Sequence, residues 1–221
     1  MTTFRDRLRS TPSFPPDLPA FGIDLENLGS APATPQQLFT TWFDDVVAAG
    51  VAAPHAMTLS TADAAGRVHA RTLVLKDVTD DGWWFAGHAD SPKGRDLAVN
   101  PQAAMTFFWP AVGRQVRIEG NVTADPEVSE ADFRARPEGS RAAGLVGRQS
   151  RPLGSRAEYD AEVTRALDAV RRDPDLVVPG WTAWALAPVD VEFWQASESR
   201  EHVRLRYRAD GESWERSLLW P

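Results

Sequence analysis

The chain has 221 residues, enough for folding to bury roughly 70% of the surface that the unfolded chain exposes, and it contains no cysteine, which excludes disulfides, thiolate metal sites and cysteine nucleophiles. Acidic residues outnumber basic ones by 31 to 24, a net charge of −7, which argues against a general nucleic-acid binder and requires any anion site to be local. The N-terminal segment has no apolar run of signal length, and no stretch approaches the roughly 20 apolar residues of a membrane span, so a soluble, cytoplasmic protein is expected.

Residues 1–33 are rich in proline, glycine and small residues, with Arg5, Arg7 and Arg9 clustered; little periodicity is present, and an extended or partly disordered arm is expected. A single domain follows over 34–221. Thr34, Pro35 and Gln37 supply an N-cap, a first-position proline and a capping-box partner for a helix whose Leu38, Trp42 and Val46 recur every four residues and which Gly50 ends. From Ala56 the period becomes two. AMTLST, VHARTLVLK and WWF predict antiparallel strands joined by tight turns.

A short helix is expected between Ser91 and Asn100, then a hairpin of AAMTFFWP and RQVRIEGNVT across AVG. SEADF opens another short helix from Ser129. Ser155 and Glu158 cap a longer one with Tyr159, Val163, Leu167 and Val170 along one face. TAWALAP, VDVEFWQ, VRLRYR and SWERSLLW complete a second meander, with a turn at Gly211 between the last two. The fold class is therefore mostly β within α+β. A closed or split barrel is expected rather than a parallel sheet, because most connections are too short for crossover helices.

Several residues could carry chemistry. Arg71 and Lys76 bracket RTLVLK, on opposite faces if that strand is regular. Ser91, Pro92, Lys93 and Gly94 place a hydroxyl and an ammonium at a helix N-terminus, where backbone donors favour phosphate, although Ser-Pro is also an ordinary helix start. Gln115 points away from the layer of Val116 and Ile118. Arg136, Pro137 and Ser140, and then Gln149 and Ser150, offer donors from two loops. In WQASESREHVR an extended chain would put Arg200, His202 and Arg204 on one face, where they repel unless an anion or an electron-rich ring lies between them. The histidines at 55, 69, 88 and 202 lack metal-ligand spacing, and neither a glycine-rich dinucleotide loop nor a GxSxG elbow occurs.

Taken in order, RTLVLK (71–76), SPKG (91–94), NPQAAMTFFW (100–109), RQVRIEG (114–120), FRARPEGS (133–140), RQSRP (148–152) and EFWQ followed by REHVR (192–204) resemble the signature series of the pyridoxamine (pyridoxine) 5'-phosphate oxidase family. The similarity spans roughly 35–221. It implies an FMN-binding split β-barrel with flanking helices, working as a homodimer with FMN at the subunit interface. By that resemblance Arg71, Thr72, Leu73, Lys76, Ala86, Gly87, Ser91, Lys93, Gln115, Gln149, Ser150, Trp194 and Arg204 would hold FMN. Lys76, Arg136, Ser140, Arg200 and His202 would hold the substrate, Arg200 and His202 orienting it at the reacting centre.

The implied reaction oxidises pyridoxamine or pyridoxine 5'-phosphate to pyridoxal 5'-phosphate, with O2 as acceptor and H2O2 as product. Four features depart from the family pattern. Asp132 stands where a phosphate-binding tyrosine is usual, Pro92 replaces a basic residue, Ala86 replaces a larger one, and the arm at 1–33 lacks the family's covering segment. A related flavin oxidase of another aromatic substrate, phenazine-type, and a non-catalytic flavin or B6 binder are the alternatives.

Overall fold

A computed structural model of the chain describes residues 2–197 and 199–221. The arm, expected to be extended, contains helix α1 (Phe4–Ser10), because Thr3 and Asp6 form a reciprocal capping box that satisfies the first free N–H groups. Helix α2 (Pro35–Ala48) starts on the capping box read from the sequence, Thr34 with Gln37, and buries Leu38, Phe39, Trp42 and Val46. Strands β1 (Ala56–Ala62), β2 (Val68–Val74), β3 (Asp77–Thr79) and β4 (Gly82–His88) follow. β2 stops at Val74, so Arg71 and Lys76 do not share a regular strand and the opposite-face expectation does not apply.

Helix α3 (Pro92–Val99), strands β5 (Gln102–Trp109) and β6 (Arg114–Asp125), and helices α4 (Pro126–Ala135), α5 (Glu138–Val146) and α6 (Arg156–Arg172) come next. α4 begins three residues before the expected Ser129, because the Asp125 carboxylate caps Val128 N–H and Pro126 fits the first turn. TAWALAP and VDVEFWQ, expected as two strands, are one continuous strand β7 (Trp181–Gln195). It pairs antiparallel with β4 over Trp181–Leu186 and with β8 (Val203–Asp210) over Asp190–Gln195. Pro188 falls between those two registers, where its missing N–H costs neither ladder a bond. β9 (Ser213–Leu218) closes on β8.

Among the described residues the nine strands run in the order β2-β1-β5-β6-β7-β4-β3, with β8 on β7 and β9 on β8. The chain divides into two compact units, each drawing on separated segments. The first (1–58, 104–119, 188–221) has an aromatic core: Phe39 meets Phe107 edge-on at 4.9 Å, and Trp42 meets Phe193 at 5.2 Å. Tyr207, buried there, donates to Pro32 O, and burial pushes its phenol up to about 12. The second unit (59–103, 120–187) packs Phe85 on Trp184 at 5.4 Å and Phe133 on Trp181 at 5.7 Å. No helix among the described residues is long and apolar enough to cross a membrane.

Candidate functional site

The second unit holds a cavity of about 520 Å³, within the range of small-molecule and cofactor sites. Leu73, Ala86, Gly87 and Lys93 line one part of it, and Arg136, Gln149 and Ser150 another. Seven residues singled out in the sequence, from five separate stretches of the chain, therefore share one cavity. Gly87 lies close to Lys93: a Cβ there would lie 2.4 Å from Lys93 Nζ, the flexible end of that side chain. Lys93 is 3% exposed, and its Nζ donates to Ser91 Oγ at 3.0 Å and Gln149 Oε1 at 3.3 Å. Burial, and secondarily the Arg71 charge, push its pKa down to about 8. Among the described residues no carboxylate forms an ion pair with this ammonium.

Ser91 also caps α3 by accepting from Gly94 N–H. The cap and the phosphate-cradle readings of SPKG thus describe the same atoms. Arg71 donates from Nη1 to Thr61 Oγ1 at 2.8 Å and to Leu59 O at 3.2 Å, while Asp96 Oδ2 lies 3.8 Å from its Nη2. Burial lowers the Arg71 pKa against the pull of Asp96. Burial would raise the Asp96 pKa, but hydrogen bonds from Thr61 and His69 bring it below the ordinary value. Thr72 is exposed on β2.

Beside this cavity, Lys76 Nζ is held 3.1 Å from Asp132 Oδ1, and Asp132 Oδ2 accepts from Trp181 Nε1 at 2.9 Å. Arg136 lies over the Trp181 ring at 4.1 Å and donates from Nη2 to the Ser140 carbonyl at 3.2 Å. Its buried Nε has no partner, and burial lowers its pKa despite nearby Asp132. Arg136 and Ser140 are thus together, while Lys76 is already engaged by a carboxylate.

The remaining predicted residues belong to the first unit. His202 packs on Trp194 at 4.8 Å, and its Nδ1 accepts from Ser197 N–H at 3.1 Å. Arg200 does not continue a strand into β8: its φ is +65° and its N–H turns back to Ser197 O. The one-face expectation for Arg200, His202 and Arg204 fails for that reason. Arg200 and His202 line a second cavity of about 760 Å³ together with Ser13, Phe14, Pro15, Pro16 and Leu18 of the arm. Phe14 from that segment sits 5.7 Å from Trp194. Arg204 donates from Nε and Nη2 to the Glu192 carboxylate at 2.9 and 2.8 Å, a fork that raises its pKa. Gln115 is half-buried on β6, opposite buried Val116 and Ile118.

Sequence reasoning missed His88, Asp96 and Glu192. His88 lines the first cavity at 8% exposure, with both ring nitrogens unpartnered. Asp96 and Glu192 each organise an arginine. In the sequence each is one carboxylate among 31 acidic residues, and nothing in the spacing joins Glu192 to Arg204 before the β7–β8 register is known.

Residues 43–168 match the family described as Pyridoxamine 5'-phosphate oxidase, and residues 181–221 match the Pyridoxine 5'-phosphate oxidase C-terminal dimerisation region. A pyridoxine/pyridoxamine 5'-phosphate oxidase of Ectopseudomonas mendocina (strain ymp) is 43% identical over 194 residues, covering 86% of this chain and 90% of that protein. The structure of PhzG from Burkholderia lata 383, in complex with tetrahydrophenazine-1-carboxylic acid, superposes with a TM-score of 0.81 at 28% identity, covering 90% of this chain and 98% of that one. A pyridoxamine 5'-phosphate oxidase-related, FMN-binding protein of Nostoc punctiforme PCC 73102 shares the fold with a TM-score of 0.70 at 19% identity, covering 85% and 98%.

Proposed function

The chain belongs to the pyridoxamine 5'-phosphate oxidase family of FMN-dependent oxidoreductases, with the family's split-barrel fold, and on that premise we propose that it binds FMN and oxidises pyridoxamine or pyridoxine 5'-phosphate to pyridoxal 5'-phosphate. The observation that carries the reading is Lys93: a desolvated ammonium without a carboxylate partner, in a cavity that a Cβ at Gly87 would narrow. An anionic phosphate is the group such a site lacks. Lys93, Arg71, Gln149 and Ser150 would hold the FMN phosphate and its chain, with the backbone around Leu73, Ala86 and Gly87 against the rest. FMN held there would supply a two-electron acceptor for oxidation at the substrate's C4', with O2 as the proposed final acceptor and H2O2 as product.

The chain's own groups then position and exclude. Arg136 and Ser140 would hold the substrate's anionic end, with Lys76 as a third contact. Arg200 and His202 would orient the ring; His202 is preset by Ser197 N–H, which leaves its other nitrogen to face a ligand. The dimerisation-region match supports a homodimer. In that assembly Gln115, Trp194 and Arg204 would complete the flavin site at the subunit interface. A soluble, cytoplasmic location agrees with this chemistry.

Purified protein is expected to carry flavin absorption and to convert both B6 phosphates to the aldehyde with release of peroxide. Flavin-loaded protein that turns over neither compound would contradict the substrate assignment. One observation favours a second reading: with Lys76 paired to Asp132, an aromatic carboxylate, the chemical class present in the Burkholderia complex, asks less of the site than a phosphate dianion. Turnover of such an acid in place of the B6 phosphates would establish it.

A further inference from the structure

We propose that Asp132 is a specificity-determining residue that competes internally with the substrate's phosphate for Lys76. This inference rests on the reading above in one respect, that Lys76, Arg136 and Ser140 form the anion end of the substrate site. The geometry makes the competition concrete. One carboxylate oxygen lies 3.1 Å from Lys76 Nζ and the other accepts from Trp181 Nε1 at 2.9 Å, so the carboxylate is held from both ends. Its side chain is 15% exposed, and that of Lys76 29%. The pair therefore interacts with little water between its charges and is stronger than a surface pair.

Trp181 ties this arrangement to Arg136. The Arg136 guanidinium lies 4.1 Å over the same indole whose N–H anchors Asp132, and the Asp132 charge acts on Arg136 in the direction of stabilising its cation. Lys76 and Arg136 together present two positive charges, and Asp132 cancels one. A phosphate dianion entering beside Arg136 meets a fixed carboxylate and must draw Lys76 away from it; a monoanion needs no such exchange. Removing the carboxylate charge frees the ammonium without removing a phosphate donor. Phosphate affinity then rises, the reverse of what substitution within a binding site ordinarily does.

The test is a double-mutant cycle on flavin-loaded protein, with inorganic phosphate as the probe and isothermal titration as the readout. Asp132→Asn keeps an oxygen for Trp181 Nε1 and is expected to tighten phosphate about tenfold, the scale of one released charge-assisted contact. Lys76→Met in the natural background is expected to change phosphate affinity less than about threefold, because its ammonium is already occupied. In the Asp132→Asn background, Lys76→Met is expected to abolish the gain. With pyridoxamine 5'-phosphate as substrate, Asp132→Asn is expected to lower KM with kcat little changed, a split that a merely structural role for Asp132 would not produce.

Unchanged or weaker phosphate binding in Asp132→Asn would overturn the proposal, as would a gain that survives Lys76→Met. Because the probe is phosphate alone, a tenfold gain without turnover of any B6 phosphate would uphold the role of Asp132 while rejecting the substrate assignment.

Discussion

Two arginines, one buried in the first unit and one half-buried in the second, show how differently the same side chain is used. Arg114 in the first unit is bonded through all three of its nitrogens: Nε donates to Gln195 at 3.0 Å, Nη1 to Asp45 at 2.8 Å and Nη2 to Ala20 O at 3.4 Å, and the guanidinium lies 4.4 Å over Trp42. Arg136 in the second unit keeps a buried Nε without a partner and has one backbone acceptor at 3.2 Å, on the wall of a cavity. A buried cation bonded through each of its nitrogens serves the framework. A cation on a cavity wall with a donor left over is a candidate ligand contact. Lys93, and His88 with its unpartnered ring nitrogens, line the same cavity as Arg136.

The largest effect is expected from Arg114→Ala, which strands Gln195 and Asp45 and removes the Trp42 contact. A loss of about 3 kcal/mol in urea unfolding is expected, against less than about 1 kcal/mol for Arg136→Ala. Equal losses in the two variants would break the comparison. Lys93→Met is next. It removes a cation whose burial opposes folding, so stability should hold or rise while FMN affinity, read by quenching of flavin fluorescence, falls about 10- to 100-fold.

The pH dependence sharpens the same point. Because the folded pKa of Lys93 lies near 8 and the ordinary value is 10.5, the unfolded chain binds more protons between those values, and the apoprotein gains stability as pH rises through that window. On the proposed contact between the Lys93 ammonium and the FMN phosphate, FMN affinity is expected to fall as pH rises above about 8. Lys93→Arg should flatten that fall, because a guanidinium stays charged throughout. The smallest effect is expected from Gly87→Ala: its Cβ would displace the flexible end of Lys93, weakening FMN about threefold with near-normal stability.

Much of the framework was legible in the sequence because it rests on local rules. The Thr34–Gln37 capping box, the Ser91 and Ser155 caps and the alternation of β6 each depend on residues within a few positions of one another. The motif series likewise named residues that line one cavity. What escaped depends on partners distant in the chain. The continuity of β7 through Pro188 required knowing that its ladders with β4 and β8 leave that residue between them. The turn at Arg200 follows from a positive φ and a bond to Ser197, not from alternation.

Asp132 was visible as a departure from the family pattern. Its pairing was not, because Lys76 lies 56 residues away and Trp181 lies 49 away on β7, brought to it only by folding.

On the proposed function, Lys93 and the cavity residues around it, Gly87, Gln149 and Ser150, answer to flavin. Amide hydrogen exchange of the apoprotein with and without FMN tests it most directly, because it locates binding without requiring turnover. Slowed exchange over residues 86–94 and 147–150, where Gly87, Lys93, Gln149 and Ser150 lie, is the predicted result. Saturable FMN binding that leaves both segments unprotected would contradict it.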